Sequence, residues 1–408
     1  MAGVAIIGAG HGGAQLAASL RQEGYQEAIT LIASEPDFPY HKPPLSKAFL
    51  KAESAAPQLL RPENFYPDNN VTCAFGETIT AVDTATKSLD LLSGRKINFD
   101  TLVFATGANP RRLALPGAEA AGVHYLRTMD DAKALRARLD KISNVVVIGG
   151  GFIGLELAAT FGNLGRNVTV LEMAPRLMGR AVSVEISAHV LEMHRAAGIK
   201  IHLGVVLDHF ATDGKNVTGV VLADGTAFAA DTVIVGIGAI PNDGLASAAG
   251  LNTKNGITVN NHLQTTAANI YALGDCASYD HWQSGVGVRL ESVQNATDQA
   301  RHVAKAILGK PVAYRDVPWF WTEQSQLKLQ MAGLSIGADE TILSGKLEDG
   351  NFSVFHLGKG KLLAVDSANR TGDHMMARRM LAEGFTPSRA AMMAGTAAMK
   401  AEFMPSKT

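Results

Sequence analysis

Two short apolar runs in this chain each end in a cluster of glycines. Residues 4–7 precede Gly8-Ala9-Gly10-His11-Gly12-Gly13, and residues 145–148 precede Gly149-Gly150-Gly151-Phe152-Ile153-Gly154. A helix-like stretch and a second apolar run follow each cluster. Apolar strand, glycine turn, helix and apolar strand form the pattern of a βαβ unit. We therefore predict an α/β fold in which two Rossmann-like, doubly wound units with parallel sheets occur in one chain.

Shorter patterns organise the remaining sequence. Alternating positions from Val71 to Leu92, and again around 199–223, predict antiparallel strands after each βαβ unit. Residues 270–275 form a short apolar run that ends in Asp275, and we assign it to the first sheet. Beyond about Trp321, alternating strands at 327–331, 352–356 and 362–366 precede a helix at 374–383. The predicted C-terminal domain is therefore α+β.

These patterns predict three domains. The predicted boundaries are 1–112 with 246–320 for a discontinuous first domain, 113–245 for a second, and 321–408 for the C-terminal domain.

The glycine spacing suits a bound dinucleotide. The first glycine allows a tight turn, the second lets the backbone approach a pyrophosphate, and the third lets the helix pack on the strand. Glu35 and Glu172 follow the two clusters at the ends of the next apolar runs, where a carboxylate accepts hydrogen bonds from ribose hydroxyls. Taken singly, each cluster is also compatible with a packing turn and each acid with a solvated strand end. The repetition favours two dinucleotides and an electron relay.

Composition narrows the class of protein. The 408 residues, 47% of them hydrophobic, allow two or three domains with a large core. A net charge of -1 without a basic run predicts no attraction to nucleic acid or anionic membranes, and no apolar stretch is long enough to enter a bilayer as a span. The chain enters its first strand almost at once, which predicts no signal segment. Cys73 and Cys276 lie far apart without a CxxC motif, so we expect no disulfide, no metal site and a cytoplasmic location.

Five further motifs have a characteristic order. They are Pro43-Pro44-Leu45-Ser46-Lys47, Tyr125-Leu126-Arg127-Thr128, Gly274-Asp275, Glu291-Ser292-Val293-Gln294-Asn295-Ala296 and Pro318-Trp319-Phe320-Trp321. With the glycine clusters they resemble the putidaredoxin reductase-like ferredoxin reductases of the glutathione reductase superfamily, over essentially the whole chain. The resemblance implies an FAD-dependent enzyme in which NADH passes a hydride to the flavin. Electrons then pass singly to a [2Fe-2S] ferredoxin that supplies an oxygenase such as a cytochrome haem monooxygenase.

The resemblance also implies a set of FAD contacts. The first glycine cluster would surround the pyrophosphate, Ser34 and Glu35 would contact the ribose, and Ile79 would meet the adenine. Asp275 would accept from the ribityl chain, with a helix N-cap as its alternative role, and the Val293 N–H would lie near the pyrimidine end. The full FAD set is Gly8, Gly10, His11, Gly12, Gly13, Ser34, Glu35, Lys42, Pro43, Lys47, Ile79, Ala105, Thr106, Gly107, Arg127, Gly274, Asp275, Ser292, Val293 and Trp321.

The second cluster and its surroundings are assigned to NADH. Lys47 and Glu156 would pair beside the flavin and position the nicotinamide, and Trp321 would lie at the flavin edge on the electron path; these three carry the predicted catalytic roles. Glu172 favours NADH over NADPH, although Arg176 and Arg180 nearby weaken that argument. The NADH set is Gly149, Gly151, Phe152, Ile153, Gly154, Glu156, Glu172 and Gly238.

Related functions differ mainly in the electron acceptor. Disulfide reductases of the superfamily carry a redox cysteine pair near the helix that here contains residues 43–47, and no cysteine lies there. Cys276 is expected to be a small buried residue. Reduction of rubredoxin or of a small acceptor stays open as an alternative, as does a signalling flavoprotein resembling apoptosis-inducing factor.

The ferredoxin is expected to dock on the C-terminal part of the chain. Residues 301–408 hold fourteen Lys and Arg against ten Asp and Glu, an excess that would steer an acidic partner. Arg289, Arg378 and Arg379 are the predicted docking cations.

Overall fold

The computed structural model describes residues 2–51 and 56–404. Its strands, in chain order, are β1 Val4–Ile7, β2 Ile29–Ala33, β3 Val71–Phe75, β4 Ile79–Asp83, β5 Ser88–Leu91, β6 Lys96–Asn98, β7 Thr101–Phe104, β8 Ala108–Pro110, β9 Val123–His124, β10 Asn144–Ile148, β11 Asn167–Glu172, β12 Lys200–Leu203, β13 Leu207–Thr212, β14 Val217–Leu222, β15 Ala227–Ala229, β16 Thr232–Val235, β17 Ala239–Pro241, β18 Ile257–Thr258, β19 Ile270–Ala272, β20 Ala277–Asp280, β21 Gly287–Val288, β22 Trp319–Gln324, β23 Leu327–Gly333, β24 Glu340–Lys346, β25 Asn351–Gly358 and β26 Lys361–Ala368.

The helices fall between these strands and at the end of the chain. They are α1 His11–Gln22, α2 Ala48–Lys51, α3 Phe65–Asp68, α4 Met129–Arg136, α5 Phe152–Asn163, α6 Val184–Ala196, α7 Gly244–Ala248, α8 Val293–Ile307, α9 Thr371–Glu383, α10 Arg389–Ala394 and α11 Thr396–Phe403, with short 3₁₀ helices at Pro43–Ser46, Leu139–Lys141 and Gly274–Cys276.

The first of two compact units comprises Met1–Lys42, Pro57–Asn109 and Ala239–Asp316. Its central sheet has the order β19-β7-β1-β2-β3, and all of these strands are parallel. Strand β1 is buried at every position, as expected for an apolar strand covered on both faces. The pairing of β19 with β7 confirms that the run beginning at residue 270 belongs to the first sheet.

The second unit comprises Pro43–Ala56, Pro110–Gly238 and Val317–Thr408. It holds a second parallel sheet, of order β12-β11-β10-β16-β9. It also holds an antiparallel sheet of order β22-β23-β26-β25-β24, whose apolar side packs with α9, α10 and α11. The fold class, two Rossmann-like sheets and a C-terminal α+β part, is therefore confirmed; the domain boundaries stay a prediction.

Two strands differ from the sequence expectation. Residues 71–75 and 200–203 were expected in antiparallel stretches, but β3 pairs parallel with β2 and β12 pairs parallel with β11. Both are edge strands. An edge strand of a parallel sheet is covered incompletely, so buried and exposed positions are mixed along it, as in β3. Its sequence therefore resembles that of an antiparallel strand with one solvated face. The antiparallel prediction holds for β4 with β5 and for β13 with β14.

Candidate active site

The first glycine cluster makes a close turn between β1 and α1. Gly8 has φ +107°, and a Cβ there would lie 2.1 Å from the Ala105 carbonyl oxygen. A Cβ on Gly13 would lie 1.9 Å from the Gly8 oxygen, and one on Gly12 would lie 2.4 Å from Leu273 Cδ1. Gly8 and Gly13 thus face backbone oxygens, where a side chain cannot be accommodated, whereas Gly12 faces only the end of the Leu273 side chain. Gly10 differs, because among the described residues no atom beyond its chain neighbours lies within 4 Å of its Cβ position.

Gly10 is also where the helix begins. It is the N-cap of α1 with extended backbone, no side chain caps the helix, and His11 is the first helical residue. The first amide groups of a helix have no carbonyl partner within it and favour an anion. The open space at Gly10 and the helix start therefore form a cradle that fits a pyrophosphate.

Other predicted FAD residues lie at the carboxyl ends of neighbouring strands. Ser34 and Glu35 follow β2, Ala105, Thr106 and Gly107 follow β7, and Gly274 and Asp275 follow β19. Strands β2 and β7 both flank β1, and β19 flanks β7. Open α/β sheets bind ligands at this edge, so the structure brings these residues of the first unit to one ligand-binding edge.

Glu35 lies in an open cleft whose lining includes Gly10, Tyr40 and Lys42. Its carboxylate accepts hydrogen bonds from the Tyr40 hydroxyl and from Lys42 Nζ, the latter at 2.9 Å. Lys42 also lies 4.7 Å from the centre of the Tyr40 ring. Lys42, itself in the predicted FAD set, therefore interacts with Glu35, the acid predicted to contact the ribose.

The remaining FAD residues of the first unit occupy different settings. Asp275 lies inside a 3₁₀ helix whose N-cap is Leu273, so the capping alternative for Asp275 is wrong. Ser292 is the N-cap of α8, its hydroxyl accepts from Asn295 N, and Val293 is the first helical residue. Ile79 is 8% exposed and packs in the core.

The second glycine cluster repeats this geometry between β10 and α5. Gly149 has φ +105°, and its Cβ would lie 2.4 Å from the Gly236 oxygen at the end of β16. A Cβ on Gly154 would lie 2.3 Å from the Gly149 oxygen, whereas the nearest atom to one on Gly151 would be 3.9 Å away. Gly151 is the N-cap of α5. The open glycine again lies at the helix start, so this turn also fits a pyrophosphate.

Three more residues assigned to NADH lie close to this turn. Phe152 is the first residue of α5, Ile153 is half exposed, and Gly238, with φ +106°, follows β16 and has Arg180 beside it.

Glu172 ends β11 and is bound to the same turn. Its carboxylate accepts from Gly150 N at 2.5 Å and from Ala174 N at 2.7 Å. Arg176 donates to the carbonyl oxygens of residues 179, 182 and 183. The Arg176 guanidinium is thus bound to its own loop, while two backbone amides hold the Glu172 carboxylate at the turn.

Glu156 lies on α5 and is only 7% exposed. Its Oε1 accepts from Lys47 Nζ at 2.8 Å and from the Thr322 hydroxyl at 2.6 Å, and its Oε2 accepts from the Ser46 hydroxyl at 2.7 Å. A buried carboxylate is costly unless it is paired and hydrogen-bonded, and here three donors satisfy it. The predicted contact between Lys47 and Glu156 is present; Ser46 and Thr322 were not predicted.

The aromatic motif forms part of the second unit. Trp319 and Trp321 have ring centroids 5.3 Å apart, and Arg378 lies 4.4 Å from the centre of the Trp319 ring. Trp319 packs against the C-terminal core. Pro43, Lys47, Arg127 and Trp321, which the resemblance assigns to FAD, all belong to this unit.

The docking prediction is wrong for Arg289. Its side chain is 8% exposed and donates to Glu291 and to the Asp275 carbonyl oxygen, so it stabilises the fold beside Asp275. Arg379 lies over the Phe403 ring. Docking by Arg378 and Arg379 stays a prediction.

The cysteines are unsuited to thiol chemistry. Cys276 is fully buried, and burial raises the pKa of its thiol. Burial also raises the pKa of Cys73 to about 11. A thiol is a nucleophile only when it is ionised, so both residues are inert near neutral pH.

Membrane spans and metal clusters are both absent from the described residues, 2–51 and 56–404. None of the helices there is both long and apolar enough to cross a membrane, and no group of three His, Cys, Asp or Glu residues there is arranged to hold a metal ion.

Comparison with known proteins identifies two matching families. The family described as "Pyridine nucleotide-disulphide oxidoreductase" matches residues 2–300, and the one described as "Reductase C-terminal" matches residues 319–402. Rhodocoxin reductase of Rhodococcus erythropolis is 43% identical over 392 residues, which cover 95% of this chain and 92% of the relative.

Further relatives bear on the electron acceptor. The solved covalent complex of putidaredoxin reductase with putidaredoxin contains a chain that is 38% identical, with a TM-score of 0.94 and coverage of 100% of this chain and 99% of that one. A rubredoxin-NAD(+) reductase of Pseudomonas putida is also 38% identical, over 90% of this chain and 95% of its own length.

Proposed function

The chain belongs to the pyridine nucleotide-disulphide oxidoreductase family, and on that premise we propose that it is an FAD-dependent, NADH-consuming ferredoxin reductase. Its acceptor is a [2Fe-2S] ferredoxin that supplies an oxygenase, such as a cytochrome haem monooxygenase. The two dinucleotide turns carry this proposal, because each combines two tightly packed glycines with one open glycine at a helix start. We place the reaction in the cytoplasm and keep the three domain boundaries proposed from the sequence.

The first unit would hold FAD at the carboxyl edge of its parallel sheet. Gly10 and the α1 amides face the pyrophosphate, and Glu35, oriented by Tyr40 and Lys42, accepts from the ribose. When bound, FAD takes two electrons from NADH and delivers them one at a time to a one-electron acceptor. The chain supplies position and electrostatics for this chemistry.

The second unit would hold NADH in the same way. Gly151 and the first turn of α5 face its pyrophosphate, and Glu172 faces the adenosine ribose. The Glu172 charge would repel the extra phosphate of NADPH, and the Arg176 guanidinium is hydrogen-bonded to three carbonyl oxygens of its own loop. Both features support NADH as the electron donor.

The pair of Lys47 and Glu156 would position the nicotinamide. Glu156 is buried and its two oxygens receive three donors, so its carboxylate and the bound ammonium have one fixed arrangement. Transfer between two rings needs their correct approach more than an acid or base on the protein. We therefore assign this pair to orientation and Trp321 to the outward path of electrons.

Acceptor kinetics test the proposed activity. The purified holoprotein is supplied with NADH and, in separate assays, with a [2Fe-2S] ferredoxin, a rubredoxin and monodehydroascorbate. We expect the highest kcat/KM for the ferredoxin. A higher kcat/KM for rubredoxin would replace the proposed acceptor, and this alternative is kept because a rubredoxin reductase is among the relatives.

Glu156→Gln tests the proposed role of the pair. The substitution keeps the size of the side chain but removes its charge, so flavin reduction by NADH should slow by at least about tenfold. Glu192→Gln, on the exposed face of α6, is the matched control and should react as the wild type does. An unchanged rate in Glu156→Gln would remove the pair from the reaction.

A signalling role makes a different prediction. A flavoprotein resembling apoptosis-inducing factor would be reduced slowly and would form a long-lived charge-transfer complex with the nicotinamide. Rapid flavin reduction and rapid onward transfer exclude that function.

A further inference from the structure

Strand β22 of the C-terminal part runs beside the helix that follows the second glycine cluster. Side chains alternate along a strand, so Phe320, Thr322 and Gln324 share one face. The Phe320 ring lies 4.6 Å from that of Phe152, the first residue of α5, and the Thr322 hydroxyl donates to Glu156, four residues later on that helix. Two residues along a strand and four residues along a helix both span about 6 Å. Successive side chains on this face of β22 therefore meet successive turns of α5.

Gln324 continues this face onto the next helix. Its side-chain oxygen lies 2.8 Å from His194 Nε2 on α6, and its nitrogen donates to the Thr322 hydroxyl at 3.5 Å. Thr322 and Gln324 are 0% exposed and His194 is 1% exposed. The hydrogen bonds therefore form one chain in which His194 donates to Gln324, Gln324 to Thr322, and Thr322 to Glu156. The chain ends there because a carboxylate can only accept.

Ser46 fixes the second carboxylate oxygen independently. Its hydroxyl donates to Glu156 Oε2, and its own carbonyl oxygen accepts from Thr160, one helical turn after Glu156. With Ser46 on one oxygen and both Thr322 and Lys47 on the other, rotation of the carboxylate would break a hydrogen bond to a charged acceptor.

We infer that Thr322 is a positioning residue for the reaction with NADH: its hydroxyl, backed by Gln324, holds Glu156 Oε1 in the orientation that binds Lys47. The inference rests on the proposed role of the Lys47 and Glu156 pair. It gives the C-terminal strand a function in the nicotinamide half of the reaction, separate from any role in binding the protein acceptor.

Three single variants of the holoprotein test this inference. Thr322→Val keeps the shape and removes the hydroxyl, while Thr322→Ser keeps the hydroxyl. Thr232→Val is the matched control, because Thr232 is fully buried in β16 and its hydroxyl has no partner among the described residues. Stopped-flow spectroscopy gives the limiting rate of flavin reduction and, from its concentration dependence, the NADH Kd.

Thr322→Val should lower the limiting rate about tenfold, the effect of one charge-assisted hydrogen bond, and should leave the NADH Kd within about threefold of the wild-type value. Thr322→Ser should recover the rate to within about twofold, and Thr232→Val should match the wild type. Equal rates in Thr322→Val and Thr232→Val, or no recovery in Thr322→Ser, would overturn the inference.

A double-mutant cycle gives a readout that does not depend on activity. Urea unfolding of the wild type, Thr322→Val, Glu156→Gln and the double variant should show that the two substitutions are not additive. Additive effects would overturn the inference even if Glu156→Gln is slow with NADH. A normal rate in Glu156→Gln, by contrast, would overturn the proposed role of the pair itself, and this inference with it.

Discussion

The two kinds of glycine in the first turn should respond differently to the same substitution. In Gly13→Ala the new Cβ would lie 1.9 Å from the Gly8 oxygen, against an ordinary contact distance of about 3.4 Å. Helix α1 would have to move away from β1 by about 3.4 − 1.9 = 1.5 Å. Overpacking of this kind costs about 3 kcal/mol, and the free energy of unfolding should fall accordingly.

Gly10→Ala should leave the fold intact and remove the cofactor. In the part of the chain that the structure describes, no atom outside the neighbouring residues lies within 4 Å of the Cβ position, and φ is -72°, which alanine adopts readily. As an N-cap change it costs no more than about 1 kcal/mol. The methyl group, however, fills the space where the backbone would meet the FAD pyrophosphate. We expect FAD affinity to fall at least about tenfold, the effect of losing about 1.4 kcal/mol of binding.

Urea unfolding of the apoprotein separates the two effects, because bound FAD would itself stabilise the folded state. FAD affinity is measured by titrating each apoprotein and following flavin fluorescence. A Gly10→Ala variant that binds FAD as the wild type does would show that Gly10 does not face the cofactor. A Gly13→Ala variant of wild-type stability would show that Gly13 is not needed for packing. In the second turn, Gly151→Ala should weaken NADH binding and keep FAD, whereas Gly154→Ala should destabilise the protein.

Further predictions concern charge, thiols and pH. Glu172→Gln removes the charge that repels a 2′-phosphate, so the ratio of kcat/KM for NADH to that for NADPH should fall at least about tenfold; an unchanged ratio would show that Glu172 does not select the cofactor. Native protein near neutral pH should react with no thiol reagent, since burial raises the pKa of both Cys73 and Cys276, and labelling of the folded protein would contradict this. The hydrogen bond from His302 to Asp316 raises the pKa of His302 in the folded state. Its stabilising effect is therefore complete below the unfolded pKa of about 6.5 and is lost as pH rises through the higher folded value. Urea unfolding across this range should show a smaller pH dependence in Asp316→Asn than in the wild type.

The sequence is most informative where backbone geometry permits few residues. Positions 8 and 149 have φ near +105° and face a carbonyl oxygen closely, so only glycine is suitable there and the pattern can be read directly. The buried strands that precede them are apolar at every position or nearly so. These local requirements explain why both dinucleotide turns and the order of their elements were predicted.

Features that depend on tertiary contacts were harder to predict. The parallel pairing of β3 and β12 was missed because both are edge strands in which buried and exposed positions are mixed. Thr322 follows three aromatic residues in a strand, and nothing in its immediate sequence indicates a buried acid 166 positions earlier. Alternation along β22 would have placed Thr322 and Trp321 on opposite faces of the strand. Only the fold, however, brings Thr322 beside α5.

Arg289 shows the same limit for charged residues. Its sequence context suggested an exposed docking cation, yet the chain folds it onto Glu291 and the Asp275 carbonyl oxygen. Charge in a sequence does not distinguish a solvated arginine from one that binds backbone groups.

Electron transfer through the whole protein is tested most directly by anaerobic stopped-flow spectroscopy of the holoprotein. NADH is mixed first, and a [2Fe-2S] ferredoxin is added in a second mix. We expect rapid loss of the oxidised-flavin absorbance. This absorbance should then return as the ferredoxin spectrum becomes that of the reduced cluster. Rapid bleaching of the flavin by NADH without reduction of the ferredoxin would contradict the proposed function as a ferredoxin reductase.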